Sequence, residues 1–408
     1  MSPEARTVAY LFTTFPKTSE TFLQREVRAV RRQGVQVRLF SFWGGGGSFD
    51  GVPVASFNKW RLATLLWIIP WAALRYPRVF WTLVRGVLTR RPGSLLSLLE
   101  NLLGAGFAGV HYAEFRRAGY GWLHAVWGGA PATAAWILHR LNGHPYSVGV
   151  HAYDLYEHGG DPWLAEKVAA AQCVHTSTEM AAATLRERGL GTGKVHVIRR
   201  GLDRLPACRA LRTPRRPLRI VCVARLVEKK GLPAQMALYR LLREHGFPFE
   251  ARILGDGPLR DGLREQVERS ALQPQVRLLG QVAHEEVWSA LEWADVLVHT
   301  GIVAASGDRD GLPNVIPEAM SAGVVVITTP QPGPLEAIVD GKTGLVVALS
   351  DVDGWEAALR QIADDDELAE RLRSGARGWV EQHFSAQRNA ASLVELVLKR
   401  KGGDRDLS

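Results

Sequence analysis

Leu218-Arg219-Ile220-Val221-Cys222-Val223-Ala224 runs directly into Arg225-Leu226-Val227-Glu228-Lys229-Lys230-Gly231. The first seven residues are almost wholly apolar and rich in β-branched side chains, the composition of a strand buried on both faces of a parallel sheet. The next seven hold Arg225, Lys229 and Lys230 and are closed by glycine. A basic loop at the carboxyl end of such a strand lies where open α/β sheets bind ligands. Taken alone, the loop fits an ordinary basic helix start equally well.

Reading outward, the same alternation of short apolar runs and amphipathic stretches recurs. Downstream strands are predicted at Glu250 to Leu254, Val276 to Gly280, Val296 to Thr300, Val324 to Thr328 and Thr343 to Val347. Upstream ones are predicted at Val8 to Phe12, Gln36 to Phe42, Leu123 to Val126, Tyr146 to Val150, Cys173 to Ser177 and Val195 to Arg199. Two such series in 408 residues predict an α/β protein of two Rossmann-like doubly wound parallel-sheet domains, since a single core stops growing well before that length. The proline-rich basic stretch 205–217 separates the series and reads as a linker. The predicted organisation is an N-terminal domain over 1–204, a C-terminal domain over 218–384 and a last segment over 385–408, whose helix at Ala386 to Lys399 returns to the N-terminal domain.

With 46% hydrophobic and 22% charged residues, the chain is expected to fold as a globular protein rather than remain disordered. Its net charge of +9 implies an anionic partner without choosing among nucleic acid, phospholipid and phosphorylated substrate. Cys173, Cys208 and Cys222 have neither metal-ligand spacing nor the number for a disulfide framework, as expected of a reducing compartment. Val8 to Phe12 is too short for a signal-peptide core, and Leu62 to Leu74, with Pro70 inside, falls short of the ~20 residues that span a bilayer. A soluble or peripheral protein is expected.

Residues 51–99 break the rhythm. They hold seven basic residues, no acidic ones, and Trp60, Trp67, Trp71 and Trp81. Pro77 suits a helix start. At helical spacing Arg75, Arg78 and Arg85 share a face opposite Phe80, Leu83, Val84 and Val87. Indole rings favour the head-group level and arginines meet anionic lipid, so the segment is expected to lie on a membrane surface. An ordinary amphipathic helix pair covering the N-terminal sheet is the competing reading.

A second constellation lies at Asp308-Arg309-Asp310-Gly311-Leu312-Pro313-Asn314-Val315-Ile316-Pro317-Glu318-Ala319-Met320. Its glycine and prolines force a turn, so that the carboxylates of Asp310 and Glu318 can converge on ligand hydroxyls. Either acid singly also fits a helix cap. Guanidinium and ammonium groups such as those of Arg225 and Lys230 are a usual means of neutralising a departing diphosphate.

Arg225 with Lys230, followed by an acidic residue, seven positions and Glu318-Ala319-Met320, resembles the retaining glycosyltransferases of family 4, which have the GT-B fold with two domains facing across a cleft. Ile253-Leu254-Gly255-Asp256-Gly257-Pro258-Leu259, Val276-Arg277-Leu278-Leu279-Gly280, Ala294-Asp295-Val296 and Gly341-Lys342-Thr343-Gly344-Leu345 follow in that family's order, so the likeness covers nearly the whole chain. Phe15-Pro16-Lys17-Thr18-Ser19-Glu20-Thr21-Phe22, Leu123-His124-Ala125-Val126-Trp127 and His151-Ala152-Tyr153-Asp154-Leu155-Tyr156 look like its exopolysaccharide-building members, of the colanic-acid type, which generally act on lipid-linked sugars.

The resemblance implies that Arg225 and Lys230 hold the diphosphate of a UDP- or GDP-sugar, that Glu318 binds the ribose, and that Asp310 faces the donor sugar, where the family often has glutamate. Pro313 lacks an N–H, which leaves the amides of Asn314 and Val315 as donors. His151 matches the family's active-site histidine, with a structural histidine as the alternative; His124, at a strand start, reads as structural. Ser19 and Glu20 are expected to cap a helix, and Gly333-Pro334-Leu335-Glu336 to aim amides at the pyrophosphate, although Pro332 stands where the family has a second glycine. No metal and no cofactor beyond the donor substrate are implied, and the resemblance also implies front-face retention. The implied setting is the cytoplasmic, inner face of a membrane, with a lipid-linked saccharide as acceptor and no nucleic-acid partner. A nicotinamide dehydrogenase would need Gly-x-Gly-x-x-Gly where Thr13-Thr14-Phe15-Pro16-Lys17 stands. A nucleic-acid module has only the charge in its favour. A noncatalytic sugar-nucleotide-binding or membrane scaffold protein is the alternative that the residues leave open.

Overall fold

The computed structural model describes residues 7–17, 20–89, 94–203, 205–207, 210–212 and 215–399. The chain separates into two compact units: one runs to Gly201 and resumes at Ala386, and the other spans Leu202–Ser385.

The first unit is built on eight strands, β1 (Thr7–Phe15), β2 (Gln36–Gly45), β3 (Gly47–Phe49), β4 (Val52–Ser56), β5 (Trp122–Ala125), β6 (Tyr146–Gly149), β7 (Cys173–Thr176) and β8 (Val195–Val197). Their order is β3-β4-β2-β1-β5-β6-β7-β8, all parallel except the β3–β4 hairpin. The chain winds outward from β1 through β2 to β4 and then returns to β5 on the other side, so the topology reverses beside β1. β5, β6 and β7 are buried at every residue, which is why each reads as an unbroken run. Helix α1 (Thr21–Arg32) buries Leu23, Val27 and Val30 against a core that also takes Ala390, Leu393 and Val397 of the helix Ala386–Lys399. That last helix therefore belongs to the first unit.

Two expectations change here. Residues 52–56 are not part of an insertion: β4 pairs in parallel with β2, Val54 opposite Leu39. The inserted segment consists of a 3₁₀ turn at Lys59–Thr64 and helices α2 (Leu65–Arg75) and α3 (Pro77–Thr89), followed by α4 (Leu95–Ala118) and α5 (Ala130–Asn142). Pro77 does begin a helix. Tyr76, at φ −134° and ψ 58°, breaks the path between α2 and α3, so Arg75 sits on a different helix from Arg78 and Arg85. All three arginines are exposed.

The second unit orders six parallel strands as β11-β10-β9-β12-β13-β14. These are β9 (Leu218–Val223), β10 (Phe249–Leu254), β11 (Val276–Gly280), β12 (Val296–His299), β13 (Val325–Thr328) and β14 (Leu345–Val346). The order reverses between β9 and β12. The connections from the two strands leave toward opposite faces of the sheet there, so the strand ends open a crevice. The loops Ala224–Gly231 and Thr300–Asn314 leave the two strands at that point.

Candidate active site

In the second unit β9 hands over to a tight basic turn. Gly231 closes it at φ +63°, and a Cβ there would lie 1.9 Å from the Thr300 carbonyl oxygen. Only glycine combines that backbone region with so close an approach. The turn is fastened to the loop after β12 by Thr300 Oγ1 donating to the Lys230 carbonyl (3.0 Å) and by the Ile302 amide donating to the Lys229 carbonyl (2.9 Å). These bonds hold two lysines against the acidic loop.

Lys230 Nζ lies 2.6 Å from Asp310 Oδ2, and Lys229 Nζ lies 2.8 Å from Asp308 Oδ2 and 3.7 Å from Asp310 Oδ1. His299, the last residue of β12, places Nε2 3.4 Å from Asp310 Oδ2 and Nδ1 3.0 Å from Thr328 Oγ1. Burial opposes ionisation of Asp310, but the charge of Lys230, contact with His299 and then Lys229 more than offset it. Its carboxyl is held far below the usual carboxylate range. Burial, with Lys230 nearby, pushes the His299 imidazole below its ordinary value despite Asp310, so it is neutral near pH 7. Asp308 Oδ1 is buried with no hydrogen-bond donor among the described residues. Such an acceptor suits a ligand hydroxyl.

Arg225 is exposed, and its guanidinium makes no ion pair or hydrogen bond among the described residues. Asn314 and Val315 occupy the N-cap and first position of the helix Val315–Ser321, and Glu318 is buried in its first turn. Gly333 precedes a 3₁₀ turn at Pro334–Glu336. A Cβ on Gly333 would lie 2.6 Å from the Asp310 carbonyl oxygen and 2.3 Å from that of Gly311. The close backbone approach therefore exists with a single glycine, and it braces the acidic loop. The structure thus gathers Lys230, Asp310 and Gly333. It also adds Lys229, Asp308 and His299, which sequence reasoning passed over. For His299 the available signal was its position at a strand's carboxyl end beside the switch point.

In the first unit His151 follows β6 and caps the short helix Ala152–Tyr156, its amide donating to Asp154 Oδ2 (2.9 Å). Arg200 Nη2 lies 3.0 Å from His151 Nε2. Because a guanidinium only donates, Nε2 accepts and the proton sits on Nδ1, 3.4 Å from Ser177 Oγ. Burial, then the Arg200 charge, depress the His151 pKa well below its ordinary value, so the imidazole is neutral. Arg200 is itself packed over the rings of Phe22 (4.1 Å) and Trp127 (5.7 Å), with Glu26 Oε2 3.6 Å away. Burial opposes the ionisation of Glu26, yet contact with His124, its charge and that of Arg200 bring the carboxyl down to about 2. His124 is the third residue of β5 rather than its start; it bonds Ser147 Oγ at 2.7 Å and stacks on His175 at 5.1 Å. It supports the network from within the sheet. Asp154 goes the other way: burial raises it to about 7 despite the His151 and Gly128 amides.

One expected cap is not made. Glu20 occupies the N-cap position of α1 without capping it and instead pairs with Lys17 Nζ at 2.7 Å; Ser19 lies outside the described residues, as do Cys208 and the tail after Lys399. Cys173 and Cys222 are both buried. Among the described residues no three His, Cys, Asp or Glu side chains are grouped to hold a metal ion.

Residues 208–379 match the family model described as "Glycosyl transferases group 1". Over an alignment of 415 residues the chain is 29% identical to WcaL of Escherichia coli K12, covering 96% of this chain and 100% of that protein, which is named as a glycosyltransferase of colanic acid biosynthesis. AmsK of Erwinia amylovora, the "Amylovoran biosynthesis glycosyltransferase", is 31% identical over 211 residues, 51% of this chain and 52% of its own length. Among solved structures, Anabaena HepE in complex with UDP and glucose superposes with a TM-score of 0.68 at 16% identity, over 95% of this chain and 98% of that one. That likeness concerns the fold, which is GT-B. The chain carries a group 1 glycosyltransferase domain and is a homologue of glycosyltransferases of polysaccharide biosynthesis.

Proposed function

We propose that the chain is a retaining glycosyltransferase of family 4, transferring a sugar from a UDP- or GDP-sugar to a lipid-linked saccharide in polysaccharide biosynthesis. The observation that carries this reading is the Lys230–Asp310–His299 constellation at the topological switch point of the second unit, with exposed Arg225 beside it. Complexes of HepE with UDP add support for a nucleotide-sugar donor.

In this reading Arg225 and Lys230 receive the diphosphate, Lys230 exchanging its contact with Asp310 for phosphate oxygens. Asp310, ionised throughout the neutral range, accepts from donor-sugar hydroxyls, and Asp308 Oδ1 offers a second acceptor. Glu318 takes the ribose hydroxyls, and the amides of Asn314, Val315 and the turn after Gly333 meet the phosphates. His151, held neutral, serves the donor sugar as a hydrogen-bonding group without adding positive charge. The acceptor oxygen bonds to the anomeric carbon on the face from which diphosphate leaves. The carbon–oxygen bond to phosphate breaks, and the departing phosphate oxygen takes the acceptor proton. Arg225 and Lys230 stabilise the charge that develops on the leaving group, so no resident metal or further cofactor is assigned. The chain works at the cytoplasmic face of the membrane, held by the basic, tryptophan-rich helices.

Incubation of purified protein with UDP- and GDP-sugars and membrane extract should release nucleotide diphosphate and give a product whose anomeric configuration, read by NMR coupling constants, matches the donor's. Lys230→Ala and Glu318→Ala should each lower turnover by roughly a hundredfold or more with an unchanged circular dichroism spectrum. An inverted product would overturn retention. No diphosphate release from any donor would favour a noncatalytic sugar-nucleotide-binding protein.

A further inference from the structure

The inserted helices enclose something that a surface-lying segment does not need. The 3₁₀ turn and the start of α2 meet α4 so closely that a Cβ on Gly106 would lie 2.6 Å from Leu62 Cδ2 and one on Gly109 3.1 Å from Leu65 Cδ2, and α3 meets Trp163 so closely that a Cβ on Gly86 would lie 2.1 Å from its Nε1. Between these two seams the helices part. They leave a groove of about 430 Å³, walled by α2 and α3 and floored by α4 and α5 through Ile137 and Leu141. Its lining is aliphatic and aromatic throughout, with hydroxyls only at Tyr76 and Tyr112, which lie 3.1 Å apart and bond each other.

We propose that this groove takes one acyl chain of an anionic membrane phospholipid, its phosphate resting between Arg75 and Arg116. The proposal rests on the membrane-surface reading given above and adds a site to it. Two observations select the occupant. A lining with so few polar atoms cannot pair the amides of an extended peptide, whereas a hydrocarbon chain brings none. The rim is cationic: Arg75, Arg78 and Arg85 are exposed, no acid occurs from 51 to 99, and Glu114 of α4 is turned to His111 at 2.6 Å. At the tyrosine end, the Arg75 guanidinium lies 5.1 Å from the Tyr76 ring centroid, and Arg116 Nη1 donates to Tyr112 Oη at 3.3 Å. That places two guanidinium groups and two hydroxyls where a lipid phosphate would sit. Around the groove Trp60, Trp67 and Leu74 are 90%, 81% and 86% exposed, so the surrounding surface is itself suited to head groups and acyl chains. No helix among the described residues is long and apolar enough to cross a membrane. A chain drawn from the bilayer into the protein supplies the contact that a spanning helix would otherwise give.

The test uses the full chain with palmitoyl lysophosphatidylglycerol below its micelle concentration, observed by native mass spectrometry. The expected result is a saturable adduct of one lipid per protein. Ala105→Phe, on α4, and Ala72→Phe, on α2, fill the groove from opposite sides and should each weaken the adduct at least tenfold while flotation with phosphatidylglycerol vesicles persists. Absence of the adduct in the unaltered protein, or binding by both folded variants as tight as by the unaltered protein, overturns the proposal whatever flotation shows. The adduct without flotation leaves the groove standing and removes the membrane reading. A dimer in sedimentation velocity that both variants dissociate overturns the proposal in favour of a second copy of this chain as occupant.

Discussion

Arg200 acts on His151 through a contact that fixes both a tautomer and a charge state. Burial is the larger cause of the depressed imidazole, and the guanidinium the next. Replacing Arg200 with Met removes a positive charge and frees Nε2. The His151 imidazole should then titrate at higher pH than in the unaltered protein while staying below its ordinary value, as read by ¹⁵N NMR; an unmoved titration would show that Arg200 does not set its charge state. Glu26 makes a separate prediction. Its folded pKa of about 2 lies below the value of 4.5 for a free glutamate, so it contributes stability above pH 4.5 that is lost as pH falls toward 2. The shift corresponds to on the order of 3 kcal/mol. Denaturant melts of Glu26→Gln should therefore fall well below the unaltered protein at pH 6, with the gap closing near pH 2. A gap independent of pH would mean that the carboxylate's charge is immaterial. Neither partnership is visible in sequence, because Glu26, His151 and Arg200 lie on three elements and carry no spacing signal.

At the scale of elements, two glycines place loops rather than shape single turns. Gly231→Ala forces a Cβ into the Thr300 carbonyl at positive φ, which should cost more than ~1 kcal/mol from the backbone region alone and separate the lysines from Asp310. Gly333 has an ordinary φ of −64°, so Gly333→Ala carries no such backbone cost; its Cβ displaces the Asp310–Gly311 carbonyls instead. Its expected signature is a raised KM for the donor with a melting temperature less affected than that of Gly231→Ala. Equal donor KM in Gly333→Ala and the parent would remove the bracing role. The strands were legible because burial on both faces leaves continuous apolar runs, as at Leu218–Val223 and Val296–His299. The β3–β4 hairpin was not, since the edge strand Gly47–Phe49 is short and Val52–Ser56 beside it buries only Val54. Glu20 shows the same limit: its charge suits a helix start, but Lys17, three residues away, holds it elsewhere.

For the whole molecule, the net charge of +9 acquires a location. Arg75, Arg78 and Arg85 are exposed in a segment without acids, so flotation with anionic vesicles should be lost when all three become Glu. It should also weaken as salt rises, because the Debye length shortens from about 10 Å at 0.1 M to about 3 Å at 1 M. Retained flotation of the triple variant would remove the electrostatic part of membrane attachment.

By itself the sequence determined the two sheets, their parallel strands other than β4, the basic turn at Arg225–Gly231 and the acidic loop reaching Glu318, because each is written in a local run or spacing. Tertiary structure alone decided which charges meet: Lys230 with Asp310 across 80 positions, His299 beside them, and Arg200 on His151. It also decided that the helices of the basic segment part around an apolar groove. Pairing and cavities depend on which strand lies next to which and on how closely glycine lets two helices approach, and those distances are set by packing rather than by neighbours in the chain.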